Sequence, residues 1–211
     1  MDTLQTIFSK YAVEKKTGTI ELPNMDRYDL AELFCELGLN VGAEIGTERA
    51  VYAKAMISRN PKLKLYCVDP WTAYKGYREH VSQDKLDTFY GEAEERLKAF
   101  PGQSVMVRKF SHDAVNDFED GSLDFVYIDG NHSFRHVVND ICDWTPKVRK
   151  GGIVSGHDYI QRKDPHYLMG VVEAVTGYVA AYHIDPLFLV GRKEPPPGEK
   201  RDKPRSWFFV V

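Results

Sequence analysis

Short apolar runs alternate along this chain with longer amphipathic ones. Val41–Gly46 ("VGAEIG"), Lys64–Asp69 ("KLYCVD"), Ser104–Phe110 ("SVMVRKF"), Leu123–Asp129 ("LDFVYID") and Gly151–Asp158 ("GGIVSGHD") each have the length and composition of a buried strand. The segments between them, "ERAVYAKAMISRN" from Glu48, Ser82 to Phe100, "HDAVNDF" from His112 and "HVVNDICDWTPKVR" from His136, read as helices. Parallel strands need a crossover, normally a helix, so this order predicts an α/β fold with a parallel sheet covered on both faces. Beyond Gly170 the pattern changes. A helix "GVVEAVTGYV" is followed by two strand-like runs, "AAYHID" (Ala180–Asp185) and "SWFFVV" (Ser206–Val211).

Two helical pieces are expected in residues 1–40. In the second, Leu30, Leu33, Phe34 and Leu37 share one face, and Gly38 stands near its end. Between the last two strands, "GRKEPPPGEKRDKPR" holds too much Pro, Gly and charge to build a core, so residues 194–205 are expected to form an exposed, dispensable loop. No solenoid repeat is present.

Composition narrows the function without naming it. The chain has 211 residues, 43% hydrophobic and 28% charged, which suits one sizeable domain. A net charge of −3 supplies no electrostatic drive toward nucleic acid or an anionic membrane. Cys35, Cys67 and Cys142 are odd in number and widely spaced, so reduced thiols are expected rather than disulfides or a zinc site. Neither a signal-peptide core nor a membrane-span run is seen, and a cytoplasmic home is expected.

Ligands of open parallel sheets bind beyond the carboxyl ends of the strands, and polar residues cluster after all five. The first strand ends in Glu44, Gly46 and Thr47 before a helix N-terminus with free N–H groups. Glu48 and Ala50 stand where a dinucleotide fingerprint would carry further glycines. The second ends in Asp69-Pro70-Trp71, a carboxylate able to accept two ribose hydroxyls beside a rigid ring and an aromatic that could wall a planar base. Ser111 and His112 follow the third, Asp129-Gly130-Asn131-His132 the fourth, and His157-Asp158 the fifth. Singly, each could be a turn, a cap or a structural histidine.

Together, and above all through "DFVYIDGNHSFRHVVNDICDWTPKVRKGGIVSGHDY", the residues from about Val41 to Val175 resemble the class I S-adenosylmethionine-dependent methyltransferases, in particular the small-molecule O-methyltransferase-like branch. The resemblance implies a Rossmann-like, seven-stranded, mostly parallel sheet with helices on both faces and one antiparallel C-terminal strand. It implies a methyltransferase domain over residues 41–211 and an N-terminal helical cap over residues 1–40. It puts Glu44 and Gly46 at the methionine part of the cofactor and Asp69 on the ribose. Trp71 would lie along the adenine, Ser111 and His112 at its edge, and Asp129 near the methionine amino group.

Two mechanisms stay open. The resemblance implies that Asp129 and Asp158 could hold a divalent cation, with His157 as an unusual third ligand that would favour manganese, iron or zinc over magnesium. Without metal, His132 or His157 would be the general base, given an unperturbed imidazole pKa near ~6.5. The expected partner is a small-molecule acceptor, not nucleic acid or a membrane; a homodimer is left open. The Asn/Asp-Pro-Pro-aromatic motif of nucleic-acid amino-methylases is missing after the fourth strand, and "DPHY" (Asp164–Tyr167) follows the fifth instead. The rival from another class is a non-catalytic protein of the same fold that binds a nucleoside cofactor.

Overall fold

The structure is a computed structural model that describes residues 2–14, 17–75, 81–161, 169–194 and 204–211. Residues 195–203, the centre of the expected loop, and Asp164–Tyr167 lie outside the described residues. In chain order the elements are α1 (Thr3–Lys10), β1 (Thr19–Leu22), α2 (Arg27–Glu36), β2 (Val41–Ile45), α3 (Val51–Arg59), β3 (Lys64–Val68), α4 (Gln83–Leu97) and β4 (Ser104–Val107). There follow α5 (Ser111–Ala114), β5 (Leu123–Ile128), α6 (Phe134–Trp144), β6 (Val148–Gly156), α7 (Val171–Ala181), β7 (Leu187–Val190) and β8 (Ser206–Val210).

Among the described residues the strands form one sheet in the order β1-β7-β8-β6-β5-β2-β3-β4. The run from β6 to β4 is parallel, and β8 is antiparallel to both β6 and β7. This is the expected fold class with eight strands rather than seven. The addition is β1, which pairs in parallel with β7 and alternates exposed and buried over only four residues. A run that short between two helices carries little periodic signal.

One strand falls elsewhere than expected. Ala180 and Ala181 close α7, and Ile184 N–H returns to Val179 O at 3.0 Å, with His183 in the left-handed region at φ 54. "AAYHID" is thus a helix end closed in the manner of a left-handed C-cap. The strand is the next apolar run, Leu187–Val190, buried at all four positions.

Apolar layers cover both faces. One joins Leu30, Leu33 and Phe34 of α2 to Met56 and Ile57 of α3 and Phe125 of β5; the other joins Val137, Ile141 and Trp144 of α6 to Val175 of α7 and Phe209 of β8. The first forty residues belong to the first layer: Ile7 is fully buried, and Phe34 stacks on Phe125 at 4.2 Å between ring centroids. A capping box of Asp26 and Asp29 starts α2, which brings Arg27 to the rim of the cleft described below. No helix among the described residues is long and apolar enough to cross a membrane.

Register decides where the chemistry lies. Ile45 pairs with both Val68 and Ile128, Val68 with Val107, and Ile128 with Gly156. The five strand ends are therefore level, and the polar residue after each emerges along one edge.

Candidate active site

That edge opens into a cleft of about 550 Å³ lined by residues from the loops after β2, β3, β4 and β5 and by α6. Its first wall is the turn after β2. Gly46 has φ +94, and a Cβ there would sit 2.3 Å from the carbonyl oxygen of Asp129, so only glycine lets the two loops approach. Glu48 and Ala50, where a dinucleotide fingerprint has glycines, take left-handed backbone at φ 47 and 55. The glycine-type path is kept with non-glycine residues, at roughly 1–2 kcal/mol each. Neighbouring hydrogen bonds hold that path: Glu48 N–H donates to Asp69 Oδ2 at 2.9 Å, and Trp71 Nε1 donates to Glu48 O at 2.7 Å.

Asp69 also accepts the Trp71 N–H on Oδ1 at 2.8 Å. These two backbone donors orient the Asp69 carboxylate, which lines the cleft. Pro70 lines the cleft too. Trp71, expected along the adenine, does not. It is fully buried beneath the loop, edge-on to Tyr90, with its indole N–H used by Glu48. Aromatic rings reach the cleft from Tyr74 and Phe110 instead, 5.3 Å apart and nearly perpendicular.

Glu44 forms part of the cleft lining while only 2% exposed. Burial, reinforced by Asp129 and Asp69, pushes its carboxyl up to about 8. Its Oε2 has no hydrogen-bond partner among the described residues. Thr47 is buried beside it, with its hydroxyl 3.5 Å from Glu44 O, and Arg27 lies near enough to favour the charged form. A buried carboxyl with an open oxygen is a prepared receptor for a cationic or N–H-bearing group.

At the β4 side, Ser111 donates to Asp140 Oδ1 at 2.5 Å and accepts the Trp144 indole N–H at 2.8 Å. Burial pushes Asp140 up to about 7, partly offset by Ser111. His112 is mostly exposed and stacks on Phe110. Tyr74 reaches across to the loop after β5, where Asn131 Nδ2 donates to its hydroxyl at 3.3 Å.

Beyond Asp129 the loops after β5 and β6 meet. His132 Nε2 lies 3.0 Å from Asp158 Oδ2 and 3.4 Å from Asp129 Oδ1. Asp158 reaches this position with left-handed backbone, φ 57. Burial works against a charged His132 ring, but the two carboxylates outweigh it and lift the imidazole to about 10. Asp158, though also buried, is held well below the usual carboxylate range by His132 and His157. At neutral pH His132 is therefore an imidazolium between two carboxylates. The general-base role expected for it is not open in this state, because its proton is already in place.

Asp129, His132 and Asp158 each offer a donor atom within 4.8 Å of the others, the convergence a metal ion requires. His157, expected as the third ligand, touches the same carboxylates at longer range, 3.3 Å to Asp158 and 3.9 Å to Asp129. Its backbone is locked by Ile128 O and by the Trp207 indole. The set of three contains His132 in its place.

Arg27, Tyr74, Asn131 and Asp140 also belong to the cleft or its rim. Of these Asn131 belongs to the polar cluster read after the fourth strand, and no local pattern in the sequence marks the other three for the cleft.

A cleft at the carboxyl edge of a mostly parallel sheet, with acidic groups around the ends of β2, β3 and β5, is the arrangement of the Rossmann-like folds. The family model described as a methyltransferase domain matches residues 39–159, more than half of the chain, and the chain belongs to that family. An uncharacterized protein of Sinorhizobium fredii, y4gI, is 28% identical over 125 residues, covering 57% of this chain and 13% of that protein. The chain thus spans about one eighth of that relative's length. Among solved structures, an O-methyltransferase from Bacillus cereus in complex with SAH (S-adenosylhomocysteine) superposes with TM-score 0.62 at 13% identity, covering 100% of this chain and 91% of that one. The O-methyltransferase TomG from Streptomyces achromogenes, involved in tomaymycin synthesis and in complex with SAM, gives 0.60 at 14% identity, covering 100% and 90%. At these identities the likeness shows the fold.

Proposed function

We propose that this methyltransferase takes S-adenosylmethionine as its methyl donor and methylates a hydroxyl group of a small molecule. The observation that carries this reading is the buried, open Oε2 of Glu44 in a cleft that ends at the Asp129–His132–Asp158 cluster. The cofactor's groups find matching partners: Glu44 for the methionine ammonium, Asp69 for the ribose diol, and the rings of Tyr74 and Phe110 for the base. When bound, S-adenosylmethionine supplies an electrophilic methyl group.

What remains for the chain is to hold the acceptor in line and remove its proton. Asp129 and Asp158 carry two negative charges around one imidazolium, so the cluster attracts a hydroxyl donor or a cation. In the metal-free state Asp129, the carboxylate of the pair that lines the cleft, accepts the acceptor's proton, and His132 with Asp158 fixes its geometry. A divalent cation fits the same donor set; Asp129, Asp158 and His132 would hold it, and it would supply Lewis acidity to the acceptor hydroxyl. The imidazole ligand favours manganese, iron or zinc over magnesium.

The test is methyl transfer from S-adenosylmethionine to a panel of small hydroxylated compounds, read by mass spectrometry with EDTA or with added manganese. Asp158→Asn should keep cofactor binding and lose transfer by roughly tenfold or more, because it removes the charge that holds His132 beside Asp129 and one donor of the cation set. A folded Asp158→Asn protein with undiminished transfer would remove the cluster from the mechanism.

A further inference from the structure

Asp158 is the member of the cluster that the chain has to force into place. Its backbone is left-handed, φ 57, in a residue that carries a Cβ. Such a conformation costs roughly 1–3 kcal/mol and persists only where the surroundings fix it firmly. The peptide groups on both sides of Asp158 are held by the entry to β8. Ahead of it, the His157 carbonyl accepts the Trp207 indole N–H at 3.2 Å. Behind it, the Tyr159 N–H donates to the carbonyl oxygen of Arg205 at 2.9 Å. The Ile160 N–H then closes a tight turn on Asp158 O at 2.7 Å.

The Arg205 side chain adds a second hold on the same loop. Its guanidinium lies over the Tyr159 ring, 5.6 Å from the centroid, and Nη1 donates to Glu21 Oε1 at 2.9 Å. The far end of the ring is fixed by α7, where the Tyr159 hydroxyl and Thr176 Oγ1 are 3.1 Å apart. The Arg205 side chain is only 11% exposed, so its contact with the ring is largely desolvated, the condition in which a cation over an aromatic face counts most. A line of contacts therefore runs from Glu21 on β1 through Arg205 and Tyr159 to Asp158. At its end Asp158 Oδ2 stands 3.0 Å from His132 Nε2.

We propose that Arg205 is a positioning residue for methyl transfer: anchored on Glu21, it fixes Tyr159 and so keeps Asp158 turned toward His132. The proposal rests on the reading of the Asp129–His132–Asp158 cluster as the reacting end of the cleft. It gives β1 a task at that site, although the strand lies at the outer edge of the sheet. The task is worth having, because a misplacement of about 1 Å at a reacting group can cost about 100-fold in rate.

The experiment is NMR of the full chain, following the imidazole N–H proton signal of His132, identified by its loss in His132→Asn, beside calorimetry with S-adenosylhomocysteine. In wild type the signal should lie downfield, as a charge-assisted hydrogen bond to a carboxylate requires, and it should move in Asp158→Asn. Arg205→Ala should shift that signal or broaden it away while S-adenosylhomocysteine affinity stays within about twofold, since the cofactor groups Glu44 and Asp69 are remote from the Arg205 contacts. Arg205→Lys keeps a cation for the ring and should recover part of the change, whereas Arg205→Gln should not. A purely structural Arg205 would lower the melting temperature and leave the His132 signal in place, and that result overturns the proposal. Should Arg205→Ala not fold, Glu21→Gln removes only the anchoring charge and must still move the signal; an unmoved signal there overturns it as well. A wild-type signal indifferent to Asp158→Asn would show that the cluster itself does not form, a failure of the underlying reading that takes the proposal with it.

Discussion

Replacing His132 by Asn removes the cation held between Asp129 and Asp158 while keeping a polar side chain. The imidazole is lifted from 6.5 to about 10, and its side chain is 14% exposed, so little solvent screening applies. Between those two values the folded protein holds a proton that the unfolded chain has lost. Unfolding then releases it, and raising the pH favours unfolding. The stabilisation is thus complete below about pH 6.5, shrinks as pH rises, and is gone above about 10. A shift of this size corresponds to roughly 3–5 kcal/mol, allowing for the coupling of the three groups, at up to ~1.4 kcal/mol per pH unit. On the acid side the depressed Asp158 contributes stability that disappears as pH falls through its folded value. Urea unfolding of wild type and His132→Asn, in EDTA at pH 6.5, 8 and 9.5, isolates the term, because Lys and Tyr titrations cancel in the difference. The stability gap should be largest at pH 6.5 and narrow by several kcal/mol at pH 9.5. A gap that stays constant would refute the buried imidazolium.

Manganese must displace that proton to use His132 as a ligand, so uptake at pH 7.5 should release about one proton, read by calorimetry in buffers of different ionisation heat; uptake without release would leave His132 out of the site. Asp69→Ala should weaken S-adenosylhomocysteine binding by about 1.5–3 kcal/mol. Because it also strips acceptors from the Glu48 and Trp71 N–H groups, its melting temperature should drop as well, and unchanged affinity in folded protein would remove Asp69 from the ribose. Gly46→Ala puts a methyl group against Asp129 O, so binding should fall by more than tenfold, about 1.4 kcal/mol, with Ile45→Val as a control for general loosening of β2.

The strand ends were legible because their meaning is local. An apolar run that stops on Asp129-Gly130-Asn131-His132 can be recognised without knowing its neighbours, and the parallel-sheet rule then brings Glu44, Asp69, Asp129 and Asp158 to one edge. What stayed hidden depends on distances between remote segments. Asp69-Pro70-Trp71 gives no sign that the indole turns inward to the Glu48 carbonyl, since that requires the left-handed path of the preceding loop. His132 reads as an ordinary titrating imidazole until Asp158, 26 positions later in the sequence, is found 3.0 Å away. Asp140 sits on a helix amid Asn139 and Asp143, a pattern that suits a solvent-facing stripe, and only the Ser111 contact reverses that reading. The N-terminal helices likewise look like an appended cap until Phe34 is seen against Phe125.

The central claim is that the cleft between Glu44, Asp69 and Asp140 holds an S-adenosyl cofactor. Titrating S-adenosylhomocysteine into the purified chain by calorimetry tests it without needing the methyl acceptor. The account predicts saturable one-to-one binding in roughly the micromolar range, about −8 kcal/mol, weakened in Asp69→Ala and raising the melting temperature of wild type. A folded protein that shows neither heat nor a thermal shift at millimolar ligand would contradict it.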